Sequence, residues 1–266
     1  MASSRMFLHE CRLGRVKRVK TFLCDTNIDP TIFDEIQGIG RVNALHVASF
    51  FNEVKIVKLL LDDGRVDPTV IGSLDKLGDL SPLHISSKMG YVEIVKLLLE
   101  DKRSDPNQKL EYYQFVPLIW ACVNGHVEVV KILLNDPRVN INETDILSYN
   151  CLNYCCVRNN CELAILILMN PKFDKTNKVS LQRAYYSACS HGYIDIVKLL
   201  ILFIDGYKFK IDGNKYEGSV VNVLETFRGS EEYYKMKFKY LKDYSAGFIF
   251  YNMVMLSDEY LKVCDN

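Results

Sequence analysis

The sequence predicts an all-α solenoid of about six helix-turn-helix units, closed by a divergent helical segment at its carboxyl end. Three observations predict it. Helix-sized apolar segments come in pairs, and one small turn residue joins each pair. That turn residue returns at Gly14, Asn52, Gly90, Gly125, Asn159 and Gly192, at intervals of 38, 38, 35, 34 and 33 residues. A single pair has too little core to stand alone, so the pairs must stack.

The unit is clearest from Ser81 to Leu99. Ser81 suits an N-cap and Pro82 the first helical position, where a missing N–H costs nothing. Gly90 permits the left-handed turn that ends this helix. The second helix carries Val92, Val95, Leu98 and Leu99 at spacings of three and four, with Glu93 and Lys96 on the other side. It packs inward and shows charge outward.

The first helices are predicted at Met6–Leu13, Ala44–Phe51, Pro82–Met89, Pro117–Asn124, Cys151–Arg158 and Ala184–His191. Their partners are predicted at Val16–Leu23, Val54–Leu61, Val92–Leu99, Val127–Leu134, Leu163–Leu168 and Ile194–Ile201. Small residues before each turn let neighbouring helices approach. After the second helix, Asp101, Arg103, Asp105 and Pro106 match Asp63, Arg65, Asp67 and Pro68, and more loosely Asp136, Arg138 and Asn140. A residue before proline is driven extended, so the chain leaves each pair in a projecting loop or hairpin.

Ser81-Pro82-Leu83-His84-Ile85-Ser86 and Asn43-Ala44-Leu45-His46-Val47-Ala48 match Thr-Pro-Leu-His-x-Ala, and Val116-Pro117-Leu118-Ile119-Trp120-Ala121 matches it without the histidine. On these residues the chain resembles the ankyrin-repeat family, over about Ser4 to Phe203. The resemblance implies that His46 and His84 tie neighbouring loops together through backbone hydrogen bonds. It also implies a non-catalytic protein that grips another protein on its concave side.

Departures from the pattern carry expectations of their own. Phe7-Leu8-His9 lacks the proline and reads as a terminal cap. Asn153 and Asn159 stand where histidine and glycine are expected, which predicts a distorted inter-helix turn in the fifth unit. The excess length of the first two intervals falls in Ile32–Arg41 and Val70–Leu80, read as lengthened fingers. Residues 1–204 thus form the repeat domain, with repeats at about 4–31, 32–69, 70–107, 108–142, 143–176 and 177–204. Residues 205–266 form either a helical cap over the last repeat or a second docking module, which would make the protein a two-ended recruitment adaptor.

Lysine plus arginine equals aspartate plus glutamate, 33 each, so overall charge steers the chain towards neither nucleic acid nor anionic lipid. No apolar run reaches the roughly 20 residues of a membrane helix, and the amino terminus has no secretory h-region. Nine cysteines, an odd number placed inside helical patterns, fit reduced thiols. These points predict a cytoplasmic protein, with the nucleus left open, that is monomeric by itself.

Catalytic patterns are missing: no phosphate-cradling glycine loop, no Gly-x-Ser-x-Gly and no His-Glu-x-x-His. Cys11, Cys122, Cys156 and Cys189 share one position three residues before the turn, where Ser49 and Ser87 stand in other units, so a small-residue slot explains them. Helices about 8–10 Å apart would hold thiolates on successive repeats too far apart to share a zinc at about 2.3 Å. No metal or cofactor is expected. His126 and His191 read as exposed polar residues beside turns. Basic Arg12, Arg15, Lys17, Arg18 and Lys20, and Lys235, Lys237, Lys239 and Lys242 among aromatics, leave nucleic-acid association as a disfavoured alternative.

By the resemblance, the partner-binding residues are the two before each turn: Arg12 and Leu13, Phe50 and Phe51, Lys88 and Met89, Val123 and Asn124, Val157 and Arg158, Ser190 and His191. Tyr112, Tyr113 and Phe115 extend this surface on the third finger, while Trp120 is expected to pack between repeats. An exposed Phe50–Phe51 pair would mark a contact, unless the Ile32–Arg41 finger folds over it.

Overall fold

The computed structural model describes residues 2–75 and 77–204, together with positions 230, 232, 233 and 235. The predicted tail helices lie outside the described residues apart from those four positions. In chain order the elements are α1 (Ala2–Arg12), α2 (Val16–Cys24), β1 (Asp34–Ile36), β2 (Gly40–Val42), α3 (Ala44–Phe50), α4 (Val54–Asp63), β3 (Gly72–Leu74), β4 (Gly78–Leu80), α5 (Pro82–Met89) and α6 (Val92–Glu100). They continue with α7 (Pro117–Asn124), α8 (Val127–Asn135), α9 (Cys151–Val157), α10 (Cys161–Met169), α11 (Lys178–Ser190) and α12 (Ile194–Phe203).

Helices α5 and α7 fall where proline and the glycine turn put them. The main departure is α11, which begins at Lys178 rather than Ala184 because the Asn177 side chain caps it, accepting from the Ser180 N–H at 3.1 Å. Odd-numbered helices pack on one another in one row and even-numbered helices in a second, and each pair also packs internally. Between the rows lies a continuous apolar core built from residues such as Leu45, Ile85, Leu118, Leu152 and Ala184 on one side and Ile56, Leu60, Ile94 and Leu98 on the other. The slot three residues before each turn is buried in every unit, which is why only serine and cysteine occupy it.

All six turn residues adopt a left-handed conformation, including Asn52 (φ 59°) and Asn159 (φ 53°). The residue after each turn donates its N–H back into the first helix, Tyr91 to Ser86 O at 2.9 Å and Asn160 to Cys155 O at 2.9 Å. The expected distortion of the fifth unit is therefore corrected: asparagine tolerates the left-handed region and keeps the same bonds.

The lengthened fingers are hairpins, and they modify the purely helical expectation. The pairs β1·β2, β2·β3 and β3·β4 are all antiparallel, giving one four-stranded sheet in the order β1-β2-β3-β4. Gly40 makes the middle pairing possible: its φ is +113°, and a Cβ there would lie 2.1 Å from the Ser73 carbonyl oxygen. The following finger is irregular. The next turns on Asp145, whose carboxylate accepts from the N–H groups of Leu147 (2.9 Å) and Tyr149 (2.7 Å).

Two sets of side chains lock successive units. His84 Nε2 donates to Gln108 O (3.0 Å) and Phe115 O (3.1 Å) while Ser81 Oγ donates to its Nδ1, and His46 Nε2 donates to Val70 O (3.1 Å). Asn153 fills the same office with an amide, donating to Ser180 O at 2.8 Å. At the other end, Arg103 is held by Asp101 and donates to Gly64 O, Val66 O and Leu61 O at 2.8, 3.1 and 3.2 Å. The Leu61 and Gly64 carbonyls lie at the end of α4, where Leu61 O also accepts from the Gly64 N–H at 3.1 Å. Arg65 and Arg138 repeat the arrangement one unit earlier and one unit later.

Candidate protein-interaction surface

The first-row helices end, unit after unit, just before their turns, and the side chains there form one track along the stack. Arg12 and Leu13 are exposed, with the Arg12 guanidinium 5.2 Å from the centre of the Phe51 ring. Phe50 and Phe51 are half-buried, edge to face at 5.1 Å, and the Tyr91 hydroxyl reaches Phe50 O at 3.5 Å. The pair is thus not an open apolar patch. Its cover includes Arg12 and Tyr91 from the neighbouring units.

Further along, Met89 is exposed and Lys88 half-buried, with its ammonium 3.8 Å from the centre of the Trp120 ring. Burial lowers the Lys88 pKa from its ordinary value, and the ring face compensates part of that cost. Val123 and Val157 are half-buried, whereas Asn124 and Arg158 are exposed; Asn124 Nδ2 turns back to Trp120 O at 2.8 Å. Ser190 and His191 are exposed, and both bond to Ser187 O while the imidazole stacks on Tyr193 at 5.2 Å.

Beside this track the third and fourth fingers carry an aromatic cluster. Phe115 is half-buried between Trp120 (5.0 Å) and Tyr154 (5.3 Å), and Tyr113 lies 5.8 Å from it. Tyr112 and Tyr113 are open to solvent, 78% and 53% exposed. Ile146 and Leu147, 60% and 62% exposed, adjoin them through an Ile146 N–H bond to Tyr113 O at 3.3 Å. The sequence reading omitted Ile146 and Leu147. Their signal was two adjacent apolar residues directly after the turn-forming Asp145.

Tyr154 donates its hydroxyl to Asp145 at 2.5 Å, and burial with the nearby carboxylate raises its pKa. Trp120 packs as expected, but its buried indole N–H has no partner among the described residues. At the amino end, Arg5, Leu8, His9 and Arg12 face Glu35–Gly38 and Asp75 across a cleft of about 580 Å³ between α1 and the hairpins.

Other candidates resolve into structure. His126 is not simply an exposed polar residue: its Nε2 donates to Lys88 O at 2.9 Å across the units, and its ring sits where a Gly90 side chain would be. Arg15 and Arg18 converge on the buried Glu10 at 3.1 and 3.2 Å, so its one negative charge offsets one of the five positive charges in the first unit. Cys122 is buried beside Cys151 and Cys155 of the next unit. Those two neighbours, together with burial, push the Cys122 thiol well up. Burial likewise pushes Cys11 to about 12. Among the described residues no group of His, Cys, Asp or Glu is arranged to hold a metal ion, and no helix is long and apolar enough to cross a membrane.

The family description of ankyrin repeats matches the chain in three overlapping copies, over residues 7–110, 45–145 and 118–214. The chain belongs to the ankyrin-repeat family. Ankyrin repeats are generally protein–protein interaction modules and typically non-catalytic. In this ankyrin chain the signature histidines and the Asp-x-Arg pairs are consumed in joining repeats. The pre-turn track and the finger tips combine half-buried residues packed against the core, such as Phe50, Phe51, Phe115 and Val123, with exposed ones such as Leu13, Met89, Tyr112 and Tyr113. No protein of curated function matches the sequence.

Proposed function

We propose that this ankyrin protein is a non-catalytic scaffold that holds a partner protein along the pre-turn track and the adjoining finger tips. In this reading it acts in the cytoplasm and is a monomer until the partner binds. The observation that carries the reading is the exposed cluster of Tyr112, Tyr113, Ile146 and Leu147 on two neighbouring fingers. Contiguous apolar patches of this kind on a water-exposed surface mark contacts, and aromatic side chains supply much of an interface's energy. The fingers bearing them are fixed by backbone bonds to His84 and Asp145, so little ordering is needed on binding.

The tail reads as a cap rather than a second docking module. Tyr233, 5% exposed, joins the core, and Glu232 pairs with Lys198 of α12 at 2.6 Å.

The test compares partners retained by the immobilised full chain with those retained by Tyr113→Ala/Leu147→Ala and by the outer-row control Lys55→Ala/Lys58→Ala. The expected result is loss of one or more partners in the first variant alone. Identical retention by all three would remove the finger tips from the site.

A further inference from the structure

The pre-turn track carries an imbalance of charge that stacking does not require. Its twelve positions hold Arg12, Lys88, Arg158 and His191 and no carboxylate, in a chain whose acidic and basic residues are equal in number. On the outer row cations and carboxylates are interspersed: Lys96 and Lys131 pair with Glu93 and Glu128, Lys55 and Lys58 precede Asp62 and Asp63 on α4, and the inter-unit arginines pair with their own aspartates. Arg12, Lys88 and Arg158 make no ion pair among the described residues. A cation near a helix C-terminus is favoured by the helix dipole, which accounts for each singly but not for the lack of carboxylates along the whole track.

We propose that the partner presents an extended acidic segment to this track, with carboxylates about six residues apart and apolar residues between them. The proposal rests on the reading that this face binds protein. Arg12, Lys88 and Arg158 belong to alternate units, and stacked helices advance about 10 Å per unit. Successive cations are therefore about 20 Å apart, the length of about six residues of extended chain at roughly 3.3 Å each. Between the cations lie Leu13, Phe51, Met89, Val123 and Val157, and apolar side chains of the segment meet these. Two carboxylates, Glu35 of β1 and Asp75 just after β3, line the amino-terminal cleft, and a third, Glu53, lies against the Gly14 turn. The first two repel an acidic segment from that cleft and hold it against the helix ends.

A nucleic acid fits less well. Its phosphates recur far more densely than one per 20 Å, and Arg15 and Arg18, which would extend the positive surface, have half their charge offset by Glu10.

The test pans a displayed library of random 16-residue peptides against the immobilised full chain. Trp120, the single tryptophan, serves as an intrinsic fluorescence reporter because Lys88 lies over its ring. Retained peptides are expected to combine Asp or Glu with apolar residues, to shift the Trp120 emission, and to bind Lys88→Glu/Arg158→Glu at least tenfold more weakly. The control Lys55→Glu/Lys58→Glu should bind normally. Thermal melting checks that both variants fold, and Lys88→Gln/Arg158→Gln replaces the reversal if it does not.

Neutral or basic peptides that are nevertheless lost on Met89→Ala/Tyr113→Ala would overturn the acidic segment while leaving the face. Retention untouched by any of these variants, or no retention at all, would overturn both. A 20-nucleotide oligo(dT) that shifts Trp120 emission and displaces the peptides would assign the track to nucleic acid and overturn the proposal.

Discussion

Arg65, Arg103 and Arg138 are spaced from their aspartates identically in three units, and that spacing was visible in the sequence. Their role was not, because each guanidinium reaches carbonyls 34 to 42 residues away, across the junction between units. Replacing Arg103 with alanine removes the donor to the Gly64 and Val66 carbonyls, while Leu61 O keeps the Gly64 N–H, and should cost about 2 kcal/mol in urea unfolding. Arg103→Lys should recover little of it, since an ammonium lacks the planar fork. The buried histidines set a pH dependence. Burial lowers His46 and His84 to about 4 from an ordinary 6.5. Between those values the unfolded chain binds protons that the folded chain does not, so stability falls as pH drops through that window, by up to roughly 3 kcal/mol per histidine. Urea midpoints from pH 7.5 to 4.5 should show the decline. His84→Asn, the solution Asn153 already provides, should flatten part of it. A pH-independent midpoint would contradict the assignment.

At the scale of the element, periodicity and caps gave the helices well wherever both agreed, as in α5 and α7. The start of α11 was missed because repeat phase was followed past a local cap at Asn177. The hairpins were legible as extra length but not as a sheet, because pairing of β2 with β3 depends on two segments more than thirty residues apart. Gly40 and Gly38 separate the two requirements placed on such a finger. Both have positive φ, yet a Cβ at Gly40 would collide with Ser73 O, while one at Gly38 meets nothing within 4 Å. Gly38→Ala should cost about 1 kcal/mol. Gly40→Ala should cost more, roughly 2–3 kcal/mol, and should speed amide exchange at Asp75, whose N–H donates to Ile39 O. Equal effects of the two substitutions would mean that close approach of the strands is unimportant.

For the molecule as a whole, the repeat family was legible from proline, histidine, small residues and turn, because stacking imposes the same demands on each unit. The binding surface was legible only by position. Which pre-turn residues stand open depends on contacts between units, so Phe50 and Phe51 proved half-covered while Ile146 and Leu147, absent from the motif, are among the more exposed apolar side chains described. Stacks need covered ends, and in the proposed reading the tail supplies that cover, with Tyr233 in the apolar cluster and Glu232 paired to Lys198 of α12. Deleting residues 231–266 should lower the melting temperature and expose apolar surface to a dye; an unchanged melting curve would return the tail to a docking role.

The central claim, that partner proteins meet this chain on the pre-turn track, is tested most directly by site-specific photocrosslinking. A photoreactive amino acid is placed at Met89 on the track or at Lys58 on the outer row, and covalent adducts are resolved by mass. The account predicts discrete protein adducts from position 89 and none from position 58. Adducts from position 58 with none from 89 would contradict it.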